Sequence, residues 1–169
     1  MTKPETWREL SETEWRAAGG HRPVGPLSIM FAAAGVLTII GAFLAYLLLQ
    51  QRLPIVLSGP MTPQQVITLT GLAVVLSTFL WGLGCFVSIL TRASHGPIAI
   101  AGLTGLWALT AIGAQFVNAY AITGGTDPAA YLPHLPNALF HLAIAAGVCG
   151  YVLDGFRPNL YFRRRIRVS

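Results

Sequence analysis

Four stretches of this chain, residues 27–49, 66–90, 98–122 and 137–153, contain no Asp, Glu, Lys or Arg. At a rise of about 1.5 Å per residue, roughly twenty apolar residues in helical form cross the hydrocarbon core of a bilayer. The first three stretches exceed that length, and the fourth lies at the short end of the range. Charged side chains make up 10% of the 169 residues, against about 25% in an average soluble domain. That is too few to solvate the surface of a globule. An apolar solvent is required, and the sequence predicts an all-α transmembrane bundle of four antiparallel helices.

The punctuation agrees with this division. Residues 1–26 form a polar segment carrying four glutamates. Thr6 with Glu9, and Ser11 with Glu14, have capping-box spacing, and Trp7, Leu10, Trp15 and Ala18 give a thin apolar side. A short N-terminal cytoplasmic helix lying at the headgroup level is the expectation. Gly19, Gly20, Pro23, Gly25 and Pro26 end it. The loop over 53–65 contains Pro54, Gly59, Pro60 and Pro63, with Thr62 placed to cap the second span. The turn over 93–97 is so short that spans two and three must be antiparallel neighbours. Residues 27–153 thus form the membrane domain, and 154–169 a basic tail.

The positive charges choose an orientation. In a four-span chain both ends and the second loop share one side. That side holds Lys3, Arg8, Arg16, Arg22, Arg92, Arg157, Arg163, Arg164, Arg165 and Arg167, while the other holds Arg52. Lys and Arg flanking a span are retained in the cytoplasm, so both ends are expected there. A three-span chain would put the basic tail opposite the basic N-terminal segment. The bases flank apolar spans rather than a soluble reader fold, which argues against nucleic acid as a partner.

Few polar groups enter the spans. Gln115 and Asn118 are three apart on span three, and Asn137 and His141 four apart on span four, so each pair shares a helix face. Both pairs fall toward the outer ends of their helices, where they are expected to form one polar cluster, with Asp127 and His134 in the loop between. Such a cluster suits either a small binding or proton-responsive site or hydrogen bonds that join two helices. Asp127, His134 and His141 lack metal-ligand spacing. Small residues recur with four-residue spacing at Ala101/Gly105 and Ala143/Gly147. This pattern lets helices approach closely inside the bundle or between copies of the chain. In the tail, Arg163, Arg164, Arg165 and Arg167 with Tyr161 and Phe162 are expected to meet lipid headgroups at the interface. Cys85 and Cys149 lie within spans and read as small hydrophobes. No Gly-x-Ser-x-Gly turn, Gly-rich phosphate loop or Cys-x-x-Cys occurs. Asp127 and Asp154 are the only acids after the N-terminal segment.

The ending, Tyr161-Phe162 followed by four residues and then Arg167-Val168, resembles the close of a family of four-span bacterial inner-membrane proteins, domain of unknown function 2569. Gly25-Pro26-Leu27, leading straight into the first span, is similar to that family's opening. The family's usual Gly-Gly-Trp-Leu is replaced here by Pro26-Leu27-Ser28-Ile29. The resemblance implies four spans in a bacterial inner membrane and supplies no activity. The expected function is non-enzymatic: an accessory, assembly or scaffold subunit whose partners are the lipid bilayer and other membrane proteins or itself, with no cofactor. The alternative is a small transporter or channel component built on the polar residues of spans three and four. A reporter active only in the cytoplasm, fused after Ser169, is expected to work, and one active only in the periplasm to stay silent. The reverse result would favour an odd number of crossings.

Overall fold

Helix dominates the chain because the spans offer backbone groups no partner except one another. The computed structural model describes residues 6–52, 54 and 61–168, without the side chains of Thr6, Arg167 and Val168. Lys3, the loop residues Gly59 and Pro60, and the side chain of Arg167 lie outside the described residues. In order come β1 (Thr6–Glu9), α1 (Glu12–Ala17), α2 (Pro26–Gln51), α3 (Pro63–Thr91), α4 (Gly96–Thr123), a 3-10 stretch (Pro128–His134), α5 (Leu135–Asp154), α6 (Phe156–Arg163) and β2 (Arg165–Val168). Four helical stretches, Pro26–Gln51, Pro63–Thr91, Gly96–Thr123 and Pro128–Asp154, are long and apolar enough to cross a membrane. The protein is a multi-pass membrane protein with an all-α bundle. Its flanks carry large apolar side chains such as Ile39, Leu109 and Leu139 fully outward, a surface suited to lipid rather than water.

Local chemistry sets the helix ends. Proline occupies the first turn of α2, α3 and α4, where its missing N–H costs nothing. Thr62 and Gln65 close a capping box on α3, with Gln65 Oε1 accepting from the Thr62 N–H at 2.6 Å. The fourth span starts earlier than expected. Asp127 Oδ1 accepts from the Ala129 N–H at 2.9 Å and starts the 3-10 stretch, which runs directly into α5. The span that looked short over 137–153 therefore belongs to a 27-residue helical run.

The helices follow one another around the bundle, α2 on α3, α3 on α4, α4 on α5. The α2–α3 seam is a close backbone approach. A methyl added at Gly41 would lie 3.0 Å from Phe79 Cα, and one at Gly82 would lie 3.0 Å from the Ala34 carbonyl oxygen. The α4 side is a row of small or compact residues, Ile100, Thr104, Ala108, Ala111 and Ala119, all buried. α2 and α5 flank a cavity of about 440 Å³.

The two ends of the chain meet at one end of the bundle. β1 and β2 pair antiparallel, Thr6 with Val168 through Glu9 with Arg165, and the Leu10 N–H donates to Arg164 O at 2.7 Å. This ribbon corrects two expectations. Thr6–Glu9 is extended rather than capped, so only the Ser11–Glu14 box forms, starting α1. Within that box, hydrogen bonds from Ser11, and then the Arg8 guanidinium, hold the Glu14 carboxyl below its usual range. α1 also does not offer its tryptophan to lipid. Trp15 is only 4% exposed, and its Nε1 donates to Leu160 O at 2.8 Å. Its ring lies where any side chain at Gly20 would overlap it. The same end holds the main apolar cluster, in which Leu27, Ile89, Ile100 and Val152 pack with Tyr161 and Phe162. Trp15→Ala removes this buried indole and strands the Leu160 carbonyl. It is expected to cost about 3–5 kcal/mol, read as a lowered thermal midpoint of the purified protein in detergent.

Candidate functional site

The polar residues expected to meet across spans three and four do not form a single hydrogen-bonded cluster. Asn118 turns toward span two, where its Oδ1 accepts from Thr70 Oγ1 at 2.7 Å. Gln115, half-buried, lies one turn beyond Ala111 in the inward row of α4. Its Nε2 donates to Ala111 O at 3.1 Å, while its Oε1 is buried with no hydrogen-bond partner. On α5, His141 Nδ1 bonds the backbone oxygen of Asn137 at 2.8 Å, and its ring rests 5.2 Å from that of Trp107. The Asn137 side chain is on the exposed side of its helix. Among the described residues no hydrogen bond joins the α4 pair to the α5 pair. His134 sits edge-on to Phe116, and Asp127 is occupied as a cap. No group of three or more His, Cys, Asp or Glu among the described residues could hold a metal ion.

The tail residues are also placed differently from the expectation. Tyr161 and Phe162 point inward, each 5% exposed. The Tyr161 hydroxyl donates to Ile89 O at 2.8 Å, and Phe162 lies against Gly96 at the start of α4. They seal the end of the bundle instead of lying among headgroups, because α6 folds back under α5 as soon as Gly155 breaks the helix. The arginines are partly committed too. Asn159 Oδ1 accepts from Arg165 Nε at 2.9 Å and from Arg163 Nη1 at 3.4 Å. Burial, and then the Arg165 charge, lower the pKa of Arg163 from its ordinary value. Arg164 lies over the Trp15 ring and Arg165 over that of Trp7.

Two features of the membrane domain stand out in place of the expected cluster. The first is the cavity between α2 and α5. Met30, Ala33 and Leu37 form one wall, Ile144 and Val148 the other, and Trp81, Thr104 and Trp107 the floor. Three of its polar groups are bonded within the bundle: Trp81 Nε1 donates to Thr104 Oγ1, that hydroxyl donates to Ile100 O, and Thr78 Oγ1 donates to Val74 O. A site so apolar can hold hydrocarbon and offers no acid, base or nucleophile. The second is the outward face of α5. At about 100° per residue, Ala143, Gly147 and Gly150 share a stripe opposite the buried Ala138 and Val152. All three are exposed, and a side chain at Gly147 or Gly150 would meet nothing within 4 Å. Of the two placements open to the Ala143/Gly147 pair, packing inside the bundle is not the one the structure shows. Gly41, which the sequence reading did not single out, makes one of the closest internal contacts; its signal was a glycine in the middle of an uninterrupted apolar span.

Comparison with family models, with curated proteins and with solved structures returns no match. The function must be argued from these residues. The Thr70–Asn118 bond offers a direct measure of what the polar groups contribute. A double-mutant cycle with Thr70→Val and Asn118→Leu, read by unfolding in detergent, is expected to give a coupling of about 0.6 kcal/mol and no more than about 1.7. A much larger coupling would mean that the pair belongs to a wider network.

Proposed function

We propose that this protein is a non-enzymatic accessory subunit of the bacterial inner membrane, with both ends in the cytoplasm, that acts by docking a transmembrane helix of another membrane protein. The observation that carries the reading is the outward stripe Ala143, Gly147 and Gly150 on α5. In lipid there is no hydrophobic force between helices. Association depends on close packing, and small residues permit it. Glycines that support internal packing, such as Gly82, are closed in by neighbouring atoms, whereas Gly147 has open space around it. The adjoining cleft between α2 and α5 can accept apolar side chains of the docked helix. Ten basic residues on the side of the termini against one on the other support the orientation.

A carrier or channel component is a second reading, favoured by one feature. Gln115 Oε1 is shut off from solvent and has no hydrogen-bond partner, a buried acceptor that a bound polar cargo would satisfy. Asn118 and His141 do not join it there, so the accessory reading is preferred.

The test uses the difference between the two kinds of glycine. Gly147→Leu is expected to leave the unfolding free energy in detergent within about 0.5 kcal/mol of wild type, as surface substitutions do. It is expected to abolish co-purification of a membrane partner retained by the wild-type chain in mild detergent. A partner retained equally by both proteins would sink the docking face.

A further inference from the structure

A second cavity lies at the end of the bundle where the termini meet, apart from the docking face. It has a volume of about 270 Å³ and is lined by Trp15, Arg16, His21 and Arg92. We propose that this cavity binds a phosphate group, carried either by a lipid headgroup or by a soluble phosphate-bearing molecule.

Four observations support it. Arg92 directly follows the last residue of α3, which puts the cavity where a span ends and headgroups begin. The charge is suitable: Arg92 and Arg16 bring two guanidiniums, and Arg164 lies over the same Trp15 ring. Arg8–Glu14 and Arg16–Glu12 are ion pairs, whereas the described side-chain contacts of Arg92 are the His21 carbonyl and the Trp15 and Tyr161 rings, and that of Arg164 is the Trp15 ring. Donors remain available. Arg92 gives one N–H to His21 O at 2.7 Å, and a guanidinium has five. His21 lends its backbone oxygen to that bond, and its ring, edge-on to Trp15 with centroids 6.5 Å apart, forms part of the cavity wall.

The backbone adds a fourth observation. Arg92 and Arg164 are the only non-glycine residues with positive φ among those described, at 52° and 49°. Glycine or asparagine normally fills such helix-ending positions. Here both carry arginines whose guanidiniums lie over Trp15, 5.6 Å and 4.6 Å from the ring centre, and Arg92 also lies over Tyr161. Cation–π attraction to a ring uses none of the guanidinium N–H groups, and a guanidinium fork suits bidentate recognition of phosphate. The size is selective as well. Pockets for whole drug-sized ligands begin at about 300 Å³, so this one suits a headgroup or a phosphate rather than a nucleotide cofactor.

The test uses the full chain in nanodiscs, with inorganic phosphate as the probe, followed by calorimetry. In discs of zwitterionic phosphatidylcholine, saturable phosphate binding is expected. Arg16→Gln, whose exposed ion pair contributes little to folding, should weaken it roughly tenfold, the loss of one charge-assisted hydrogen bond. Glu12→Gln should strengthen it, because it frees Arg16. If discs of anionic phosphatidylglycerol abolish phosphate binding, the lipid headgroup is the natural occupant. If binding is the same in both discs, a soluble phosphate compound is. Either result upholds the site. Absence of saturable binding in phosphatidylcholine discs, or binding that neither substitution changes, would overturn it.

Discussion

The Trp15 indole donates its N–H to the carbonyl of Leu160, a partner 145 positions away in sequence. Around that bond the two ends of the chain close on each other. β1 pairs with β2, Arg92 and Arg164 lie over the same indole, and Tyr161 and Phe162 enter the core. The four spans are held in register at this end by their own termini. An even number of crossings is what makes the closure available, since only then do both ends emerge together. The arrangement also explains why a tail of four arginines is not a loose anchor. Asn159, 1% exposed, gathers Arg163 and Arg165, and the aromatic rings take the others whose side chains are described.

Within the bundle the same residue type serves opposite purposes. Gly41 and Gly82 permit α2 and α3 to approach until backbone meets backbone. Gly147 and Gly150 leave backbone open to the surroundings. In water an exposed glycine is unremarked, but in lipid a bare stripe between large outward side chains such as Leu139 and Phe140 is a place where another helix fits better than disordered tails. The cleft beside it arises because α2 and α5, the first and last spans, meet chiefly at the end where the termini lie. Leu27 and Val152 pack there, while nearer mid-span the two helices part around Trp81 and Trp107.

The polar residues show how far helix spacing carries. Three- and four-residue separations place Gln115 near Asn118, and Asn137 near His141, along their helices. Spacing says nothing of which neighbour those residues meet. Rotation of α4 turned Asn118 to Thr70 on α3, and rotation of α5 left His141 against Trp107 with its nitrogen on its own backbone. No spacing signal joined Trp15, His21 and Arg92, because Arg92 reaches the other two from a distant part of the chain.

The sequence by itself determined that the chain is helical, that it has four stretches fit for a bilayer and, except for the early start of the fourth at Pro128, where each begins and ends to within a few residues. Those properties depend on local quantities: uncharged length, proline in first turns, and capping side chains such as Thr62 and Ser11. Only the tertiary structure decided that the termini pair as strands, that Tyr161 and Phe162 face inward, and which glycines are internal. Each of these depends on helix rotation and on contacts between residues far apart in sequence, and a periodic apolar pattern that is nearly uniform around the helix leaves that rotation unspecified.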